Sequence, residues 1–503
     1  MSTSLRLPFR ALLVGAALVF ATGAPPRAVP AEKLSPALLG SLSGAGGEHR
    51  DSTLPVWVYF TDKGERSPGG LSAALQVAQR TLRSRCAWRR SKVRPAGALV
   101  DPEDLELAPG YVSRIKPLVS RVRAVSRWLN AVSVEATPDE IRALSALDCV
   151  SGLDVVRGFR RNEDDLAPDD AGGGLSPDPR APGPPQDAAA AGPSPVYGSA
   201  YAQLEQIGVP ALHQMGLSGR GVLVAVLDVG FRTTHEVFRN ARLLNQRDFV
   251  FGDGSVMRDA ANANDYTDAH GTATWSLLGG FKFGTMAGPA FGADFILAKT
   301  EDDRSETPIE EDYWVAGIEW AESLGAEVVS SSLGYTDWYA FKDMDGRTAV
   351  TTKAAERAVA LGVVVVNAAG NERRNAWAHI IAPADGPSVI AVGAVDSVGA
   401  IASFSSPGPS ADGRIKPEVC AWGVGNLIAA NRTDGTDAYT RGSGTSYATP
   451  LVAGVAALLL EAHRDWTPAR VRAALMGTAS NANKPNNDYG WGIVNAAGAV
   501  VFR

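Results

Sequence analysis

Cysteine is scarce. Three residues in 503 exclude a disulfide scaffold and a multi-cysteine zinc or iron–sulfur module. Six histidines leave few candidates for imidazole chemistry. Neither sign of charge dominates. Lys+Arg is 48 and Asp+Glu is 54, a formal balance of −6, so the basic face of a nucleic-acid binder is missing. Long apolar runs are missing too. Only a stretch near the N-terminus reads as apolar enough to engage a membrane, which excludes a polytopic membrane protein. What is present is a globular composition, 45% hydrophobic and 20% charged. At ~150 residues per unit the chain has room for about three domains.

The N-terminal 31 residues read as a secretory signal peptide. Arg6 and Arg10 form a positive flank, and Ala11 to Phe20 form an apolar run too short to span a bilayer. Ala21-Thr22-Gly23 and Val29-Pro30-Ala31 are candidate cleavage sites, and a buried helix or retained anchor is the alternative. Export would make a Cys86–Cys149 bridge chemically feasible. The odd Cys420 reads as a small buried hydrophobe.

Residues 32–161 read as a small α+β unit. Val56 to Phe60 is β-rich, Leu71 to Val93 is compatible with a helix, and Ala124 to Glu135 reads as a strand. Thr137-Pro138-Asp139-Glu140 is a capping box with proline at the first helical position. Ile141, Leu144 and Leu147 follow as a helical stripe, and Leu153 to Val156 makes a last strand. Residues 162–196 turn Asp-rich, then Gly-, Pro- and Ala-rich. They cannot bury enough apolar surface to offset chain entropy and are expected to form a disordered linker open to proteolysis.

From 197 to 503, strand-like apolar runs alternate with helical patterns. The expected strands are Gly221 to Leu227, Phe295 to Ala298, Val328 to Ser331, Val363 to Val366 and Val389 to Val395. The expected helices are Glu310 to Leu324, Thr351 to Leu361 and Thr449 to Ala462. The alternation predicts a layered α/β fold with a mainly parallel sheet between helices.

Ligands of such sheets bind beyond the carboxyl ends of the strands. Four polar residues are candidates there. Asp228 follows the buried run Val222 to Leu227, and a structural capping aspartate is the alternative. His270 lies in Asp268-Ala269-His270-Gly271-Thr272, whose small residues permit close approach by another segment; a lone histidine is otherwise often structural. Ser446 lies in Gly442-Ser443-Gly444-Thr445-Ser446, ahead of a long helical pattern. There the free N–H groups and the positive helix end favour an oxyanion, with an N-cap serine as the plainer reading. Asn371 ends Ala368-Ala369-Gly370-Asn371. Its amide could donate to developing negative charge, or simply make a turn.

Taken together, Val226-Leu227-Asp228-Val229-Gly230, Asp268-Ala269-His270-Gly271-Thr272, Ala368-Ala369-Gly370-Asn371 and Gly444-Thr445-Ser446-Tyr447-Ala448-Thr449-Pro450 resemble the subtilisin-like serine proteases. The order Asp, His, Ser is that family's. Ser331-Ser332-Leu333-Gly334, Pro387 to Gly393 and the closing Tyr489 to Asn495 add support. The resemblance covers 197–503, and residues 32–161 are similar to the inhibitory propeptide of the family. It implies a secreted serine endopeptidase made as a zymogen. Ser446 would be the nucleophile, His270 the general base and acid, Asp228 the partner of His270, and Asn371 an oxyanion donor. Ser332, Leu333 and Gly334 with Ala368, Ala369 and Gly370 would wall the pocket for the side chain before the cut bond. With Ile380-Ile381-Ala382 near its base, an apolar preference is expected, which Glu372 and Glu301-Asp302-Asp303 could alter.

The implied partners are protein or peptide substrates and the chain's own propeptide, with no nucleic acid and no membrane once the signal is removed. The implied address is extracellular or periplasmic. No cofactor is implied for the chemistry, and no metal site is assigned. Structural calcium stays unassigned because Val237 stands where many relatives carry a ligating aspartate, while Asp412, Asp434 and Asp437 read as solvated loop residues. Val229 stands where the family usually has Ser or Thr, whose hydroxyl can support the aspartate. Ala273-Thr274-Trp275-Ser276 departs from the usual His-Val-Ala-Gly and is expected to alter packing under the histidine helix, not the chemistry. Val229 is the motive for a second reading, a degenerate peptide-binding relative. A lipase or esterase fails on residue order and on the missing Gly-x-Ser-x-Gly.

Overall fold

The computed structural model describes residues 33–44, 52–64, 67–157, 196–258, 268–301, 311–337, 339–431 and 436–503. The expected signal peptide lies outside the described residues, as does the expected linker up to 195.

In the N-terminal unit, β1 (Leu54–Phe60), β2 (Arg121–Ser126), β3 (Ala131–Ala136) and β4 (Val150–Val155) form an antiparallel sheet in the order β2-β3-β1-β4. The single strand expected from Ala124 to Glu135 is a hairpin instead. Asn130 makes the reversal with φ 51°, a left-handed conformation that asparagine tolerates, and its Nδ2 donates to the Phe60 and Asp62 carbonyls at 3.1 Å each. The helix expected from Leu71 to Val93 is two helices, Pro68–Thr81 and Ser84–Ser91, parted by extended backbone at Leu82 and Arg83. The first buries no residue; the second buries Cys86, Arg89 and Arg90. The capping box forms as read: Glu140 N–H donates to Thr137 Oγ1 at 3.3 Å, and Thr137 N–H donates to Glu140 Oε2 at 2.7 Å.

The C-terminal unit is built on seven parallel strands. They are β5 (Leu223–Asp228), β6 (Arg242–Asp248), β9 (Asp294–Lys299), β10 (Val328–Ser331), β11 (Val364–Ala368), β12 (Ile390–Val395) and β13 (Val419–Trp422), in the order β13-β12-β11-β10-β5-β9-β6. Among the described residues, two antiparallel pairs complete the strands, β7 (Phe281–Lys282) with β8 (Met286–Ala287) and β14 (Asn426–Asn431) with β15 (Asp437–Gly442). Alternation in β5 shows why its sequence is apolar throughout. Val222, Val224 and Val226 face one core with the Ala269–Gly279 and Thr445–Ala462 helices, while Leu223, Ala225 and Leu227 face another with the Glu311–Leu324 and Val350–Ala360 helices. Trp57, Trp128, Ala131 and Val156 join that second core. The N-terminal unit is therefore docked on the outer helix layer. The strand order reverses beside β5, between β10 and β9, the place where open sheets bind ligands.

The last long helix begins at Thr445, four residues before the expected Thr449. Among the described residues it is the one helix long and apolar enough to cross a membrane, although only the N-terminal stretch was expected to be apolar enough to engage one; 78% of it is buried, so its apolarity serves the core. All three cysteines are free and buried. The Cys86–Cys149 bridge does not form. Cys86 Sγ lies 3.3 Å from the Glu322 and Ser323 carbonyls of the C-terminal unit, while Cys149 is packed in the N-terminal core.

Candidate active site

Asp228 is the last residue of β5 and has no exposed surface. A carboxylate buried there needs donors. Its Oδ1 accepts from the Val229 backbone N–H at 2.8 Å and lies 2.7 Å from His270 Nδ1. Its Oδ2 accepts from Thr274 Oγ1 at 3.0 Å. Valine at 229 offers no hydroxyl, and one arrives instead from the histidine helix. His270 and Thr274 are four residues apart and share a helix face, so both reach the same carboxylate. The departure at Ala273-Thr274-Trp275-Ser276 thus bears on the aspartate and not only on packing.

Gly271 permits this approach. A Cβ at Gly271 would stand 2.0 Å from the Gly230 carbonyl oxygen and 3.1 Å from Asp228 Cβ. Any larger residue would push the histidine helix off the end of β5.

Ser446 lies in the first turn of the Thr445–Ala462 helix. Pro450, four residues on, has no N–H to give the Ser446 carbonyl. That carbonyl accepts from Ser332 Oγ at 2.8 Å, and Ser446 Oγ donates to the Ser332 carbonyl at 3.3 Å. The pair ties the serine helix to the carboxyl end of β10. The Tyr447 ring lies 5.8 Å from the His270 ring, centroid to centroid, so the starts of the serine and histidine helices meet.

Asn371 follows the end of β11. Its Oδ1 accepts from both the backbone N–H and the hydroxyl of Thr445, at 2.9 Å each, which fixes the amide plane. A Cβ on Gly444 would lie 3.6 Å from Asn371 Nδ2 and 3.7 Å from Ser446 N. The two donors therefore flank one point in space, beside a residue without a side chain.

A small cleft opens at these strand ends. Ser332, Leu333, Gly334, Ala368 and Gly370 line it with Asn371 and Ser446. Ala369, also expected as a wall, is not part of this lining; it is fully buried, and its carbonyl accepts from Ile381 N–H at 3.3 Å. Ile381 lines the cleft, as do Glu301 and Glu372, both largely buried. The cleft is thus apolar along Leu333, Ala368 and Ile381 and carries two carboxylates. Thr274, Thr445 and the Ser332 hydroxyl were missed as supporting groups. The signals available were the four-residue spacing of Thr274 from His270 and the proline four residues after Ser446.

Among the described residues, no three or more His, Cys, Asp or Glu side chains converge to hold a metal ion. Val237 is buried in the core. Asp412 pairs with Arg414 at 2.8 Å and Asp437 with Arg232 at 2.9 Å.

Comparison with known proteins bears on both units. Residues 219–492 match the subtilase family, and residues 55–167 match the Peptidase S8 propeptide domain, Bacteroidota. The chain is 36% identical to subtilisin E of Bacillus subtilis over 300 residues, covering 59% of this chain and 70% of that protein. It is 35% identical to a subtilisin of Bacillus pumilus over 304 residues, covering 59% of this chain and 97% of that protein. In fold it is similar to fervidolysin from Fervidobacterium pennivorans, described as a keratinolytic enzyme related to subtilisin. The TM-score is 0.61 at 23% identity, over 91% of this chain and 62% of that one.

Proposed function

The chain belongs to the subtilase family of serine peptidases, with an N-terminal propeptide domain, and from that premise we propose that Asp228, His270 and Ser446 are its catalytic triad and that it is made as a secreted zymogen. The observation that carries this reading is the buried 2.7 Å contact between Asp228 Oδ1 and His270 Nδ1. It holds the proton on Nδ1 and leaves Nε2 to act as base. Ser446 Oγ attacks the carbonyl carbon of the scissile bond, and its proton passes to His270 Nε2. Asn371 Nδ2 and the Ser446 N–H stabilise the tetrahedral oxyanion. The C–N bond then breaks as the imidazolium protonates the leaving amine. A water molecule, activated by the same imidazole, hydrolyses the acyl-enzyme. Subtilisins need no cofactor for this chemistry, and each step runs on side chains and backbone.

The donor that Thr274 gives Asp228 removes the motive for a degenerate, non-catalytic reading based on Val229. Substrates are proteins or peptides. Leu333, Ala368 and Ile381 suit an apolar side chain before the cut bond, and Glu301 and Glu372 add tolerance of a cationic tip. Residues 1–31 direct export, 32–161 act as intramolecular inhibitor, the cut falls in 162–196, and 197–503 are the mature enzyme, outside the cell or in the periplasm. Intact mass and N-terminal sequencing of secreted wild type beside Ser446→Ala test this. Wild type should start between about 160 and 200 while the variant stays long. Equal trimming of both assigns the cut to another protease, and no trimming of either sinks the zymogen reading.

A further inference from the structure

The propeptide touches the peptidase unit over a face with two parts that meet at Glu322, which Arg127 of the β2–β3 turn approaches at 3.7 Å. One is expected of an inhibitor: its sheet lies on the Glu311–Leu324 and Val350–Ala360 helices, and its last described residue, Arg157, donates its N–H to Glu311 at 2.9 Å. The other is the Ser84–Ser91 helix. It reaches the amino ends of the strands, whereas Asp228, Ser332 and Asn371 stand at the carboxyl ends. A six-residue strand such as β5 separates the two ends by about 20 Å.

Arg89 is the centre of this second contact and is fully buried. Its Nε donates to the Leu361 carbonyl at 3.0 Å. Its Nη1 donates to the carbonyls of Glu322 at 3.1 Å and Ala326 at 2.7 Å, and its Nη2 bonds the Glu322 carboxylate. Leu361 ends the Val350–Ala360 helix, and Glu322 lies in the last turn of the Glu311–Leu324 helix. The last carbonyls of a helix have no partner within it and carry the negative end of the dipole. One guanidinium therefore caps two neighbouring helices at once. Arg90 also donates to the Glu322 carboxylate, at 2.9 Å, and links it to the propeptide's own Asp104 at 2.9 Å. Burial pushes the Glu322 carboxyl up, but Arg89 and Arg90 outweigh it and leave it below its ordinary value. Arg85 extends the contact to Asp294 and Glu327, at 3.5 Å each.

We propose that this amino-end surface is a docking site for an arginine-presenting helix, and that Ser84–Ser91 occupies it as a latch. The latch holds the propeptide on the peptidase unit after the connecting segment is cut. The proposal rests on the zymogen reading only for the natural cut, so the test supplies that cut from outside.

The test uses the full chain with Ser446→Ala and a foreign protease site inserted in 162–196. After nicking, loss of the propeptide fragment from the peptidase unit is followed by native mass spectrometry. The nicked chain should stay paired. Adding Arg89→Leu should speed release on the order of 30-fold or more, the scale for truncating one partner of a buried charge pair. Arg85→Ala is the gentler variant, because Asp294 and Glu327 keep Arg242 at 3.1 Å and Arg464 at 3.0 Å. It should speed release about 3-fold or more, and it decides the matter if Arg89→Leu does not fold. Release at the unaltered rate in the folded variants overturns the latch, as does immediate shedding without them. Wild type without the inserted site is run alongside. If it is never trimmed while the nicked pair stays latched, the zymogen reading falls and the latch stands.

Discussion

Thr274→Val removes a single hydroxyl from beneath the candidate triad. Thr274 is 1% exposed, so no water stands ready to replace its bond to Asp228 Oδ2. A hydrogen bond to a charged group contributes ~1.5–3 kcal/mol, and ~1.4 kcal/mol is tenfold in rate. The ceiling is therefore a loss of roughly 10- to 150-fold. The bond to Asp228 is made before as well as during the reaction, so part of the loss falls on the ground state and does not slow turnover. Val229 N–H and His270 continue to hold Oδ1. The expected result is a drop of about 10-fold in kcat with KM changed by less than ~2-fold. The assay is steady-state hydrolysis of a chromogenic peptide, with active sites titrated so that misfolded enzyme does not count. Val229→Ser in the Thr274→Val background returns a hydroxyl from the strand side and should recover much of the loss. A kcat within ~2-fold of wild type, or a loss that falls on KM alone, refutes the assignment of Thr274 as a positioning residue.

Three further outcomes follow from the same geometry. Asn371→Ala should lower kcat ~10²–10³-fold with little change in KM; this magnitude is carried over from the equivalent donor of subtilisin, not worked from these distances, and a change below ~10-fold would remove Asn371 from the oxyanion site. Glu301→Gln with Glu372→Gln should cut the ratio of kcat/KM for Lys against Leu before the scissile bond by ~3- to 10-fold, and an unchanged ratio would mean the carboxylates do not see that side chain. Burial between the two units pushes the Glu311 and Glu319 carboxyls up to about 7 from an ordinary 4.5, against the pull of Arg157 and of the hydroxyl of Ser126 respectively. The docked pair therefore binds protons that the separated units release. The contribution of these two carboxyls to docking is fully present below pH 4.5 and is lost as pH rises through about 7. Dissociation of the nicked pair should be faster at pH 8 than at pH 5, and Glu311→Gln with Glu319→Gln should flatten the profile; a flat wild-type profile refutes the linkage.

What the sequence showed plainly was whatever one segment can encode alone. The all-apolar runs at β5, β9, β10, β11 and β12 read as strands covered on both faces, and each lies within a few residues of its expected place. Thr137 to Glu140 read as a helix start because both halves of its capping box are local. Asp228, His270, Asn371 and Ser446 each carried a motif at a strand or helix end. The misreadings share another cause. Arg89 and Arg90 fell inside the single helix expected from Leu71 to Val93, but they bind Glu322, Ala326 and Leu361, more than two hundred positions away. That remote demand breaks the Leu71 to Val93 helix into two.

Thr274 lies between these extremes. Val229 showed that a hydroxyl was missing beside Asp228, and a helix beginning at Ala269 places residue 274 on the same face as His270. Both facts were in the sequence. Joining them required knowing that the histidine helix rests on the end of β5, with Gly271 close enough that a Cβ would strike the Gly230 carbonyl. A departure from a family motif is best weighed against every side chain that can reach the same atom. By that measure Val229 and Thr274 are one change in two places, with the donor moved from the strand to the helix.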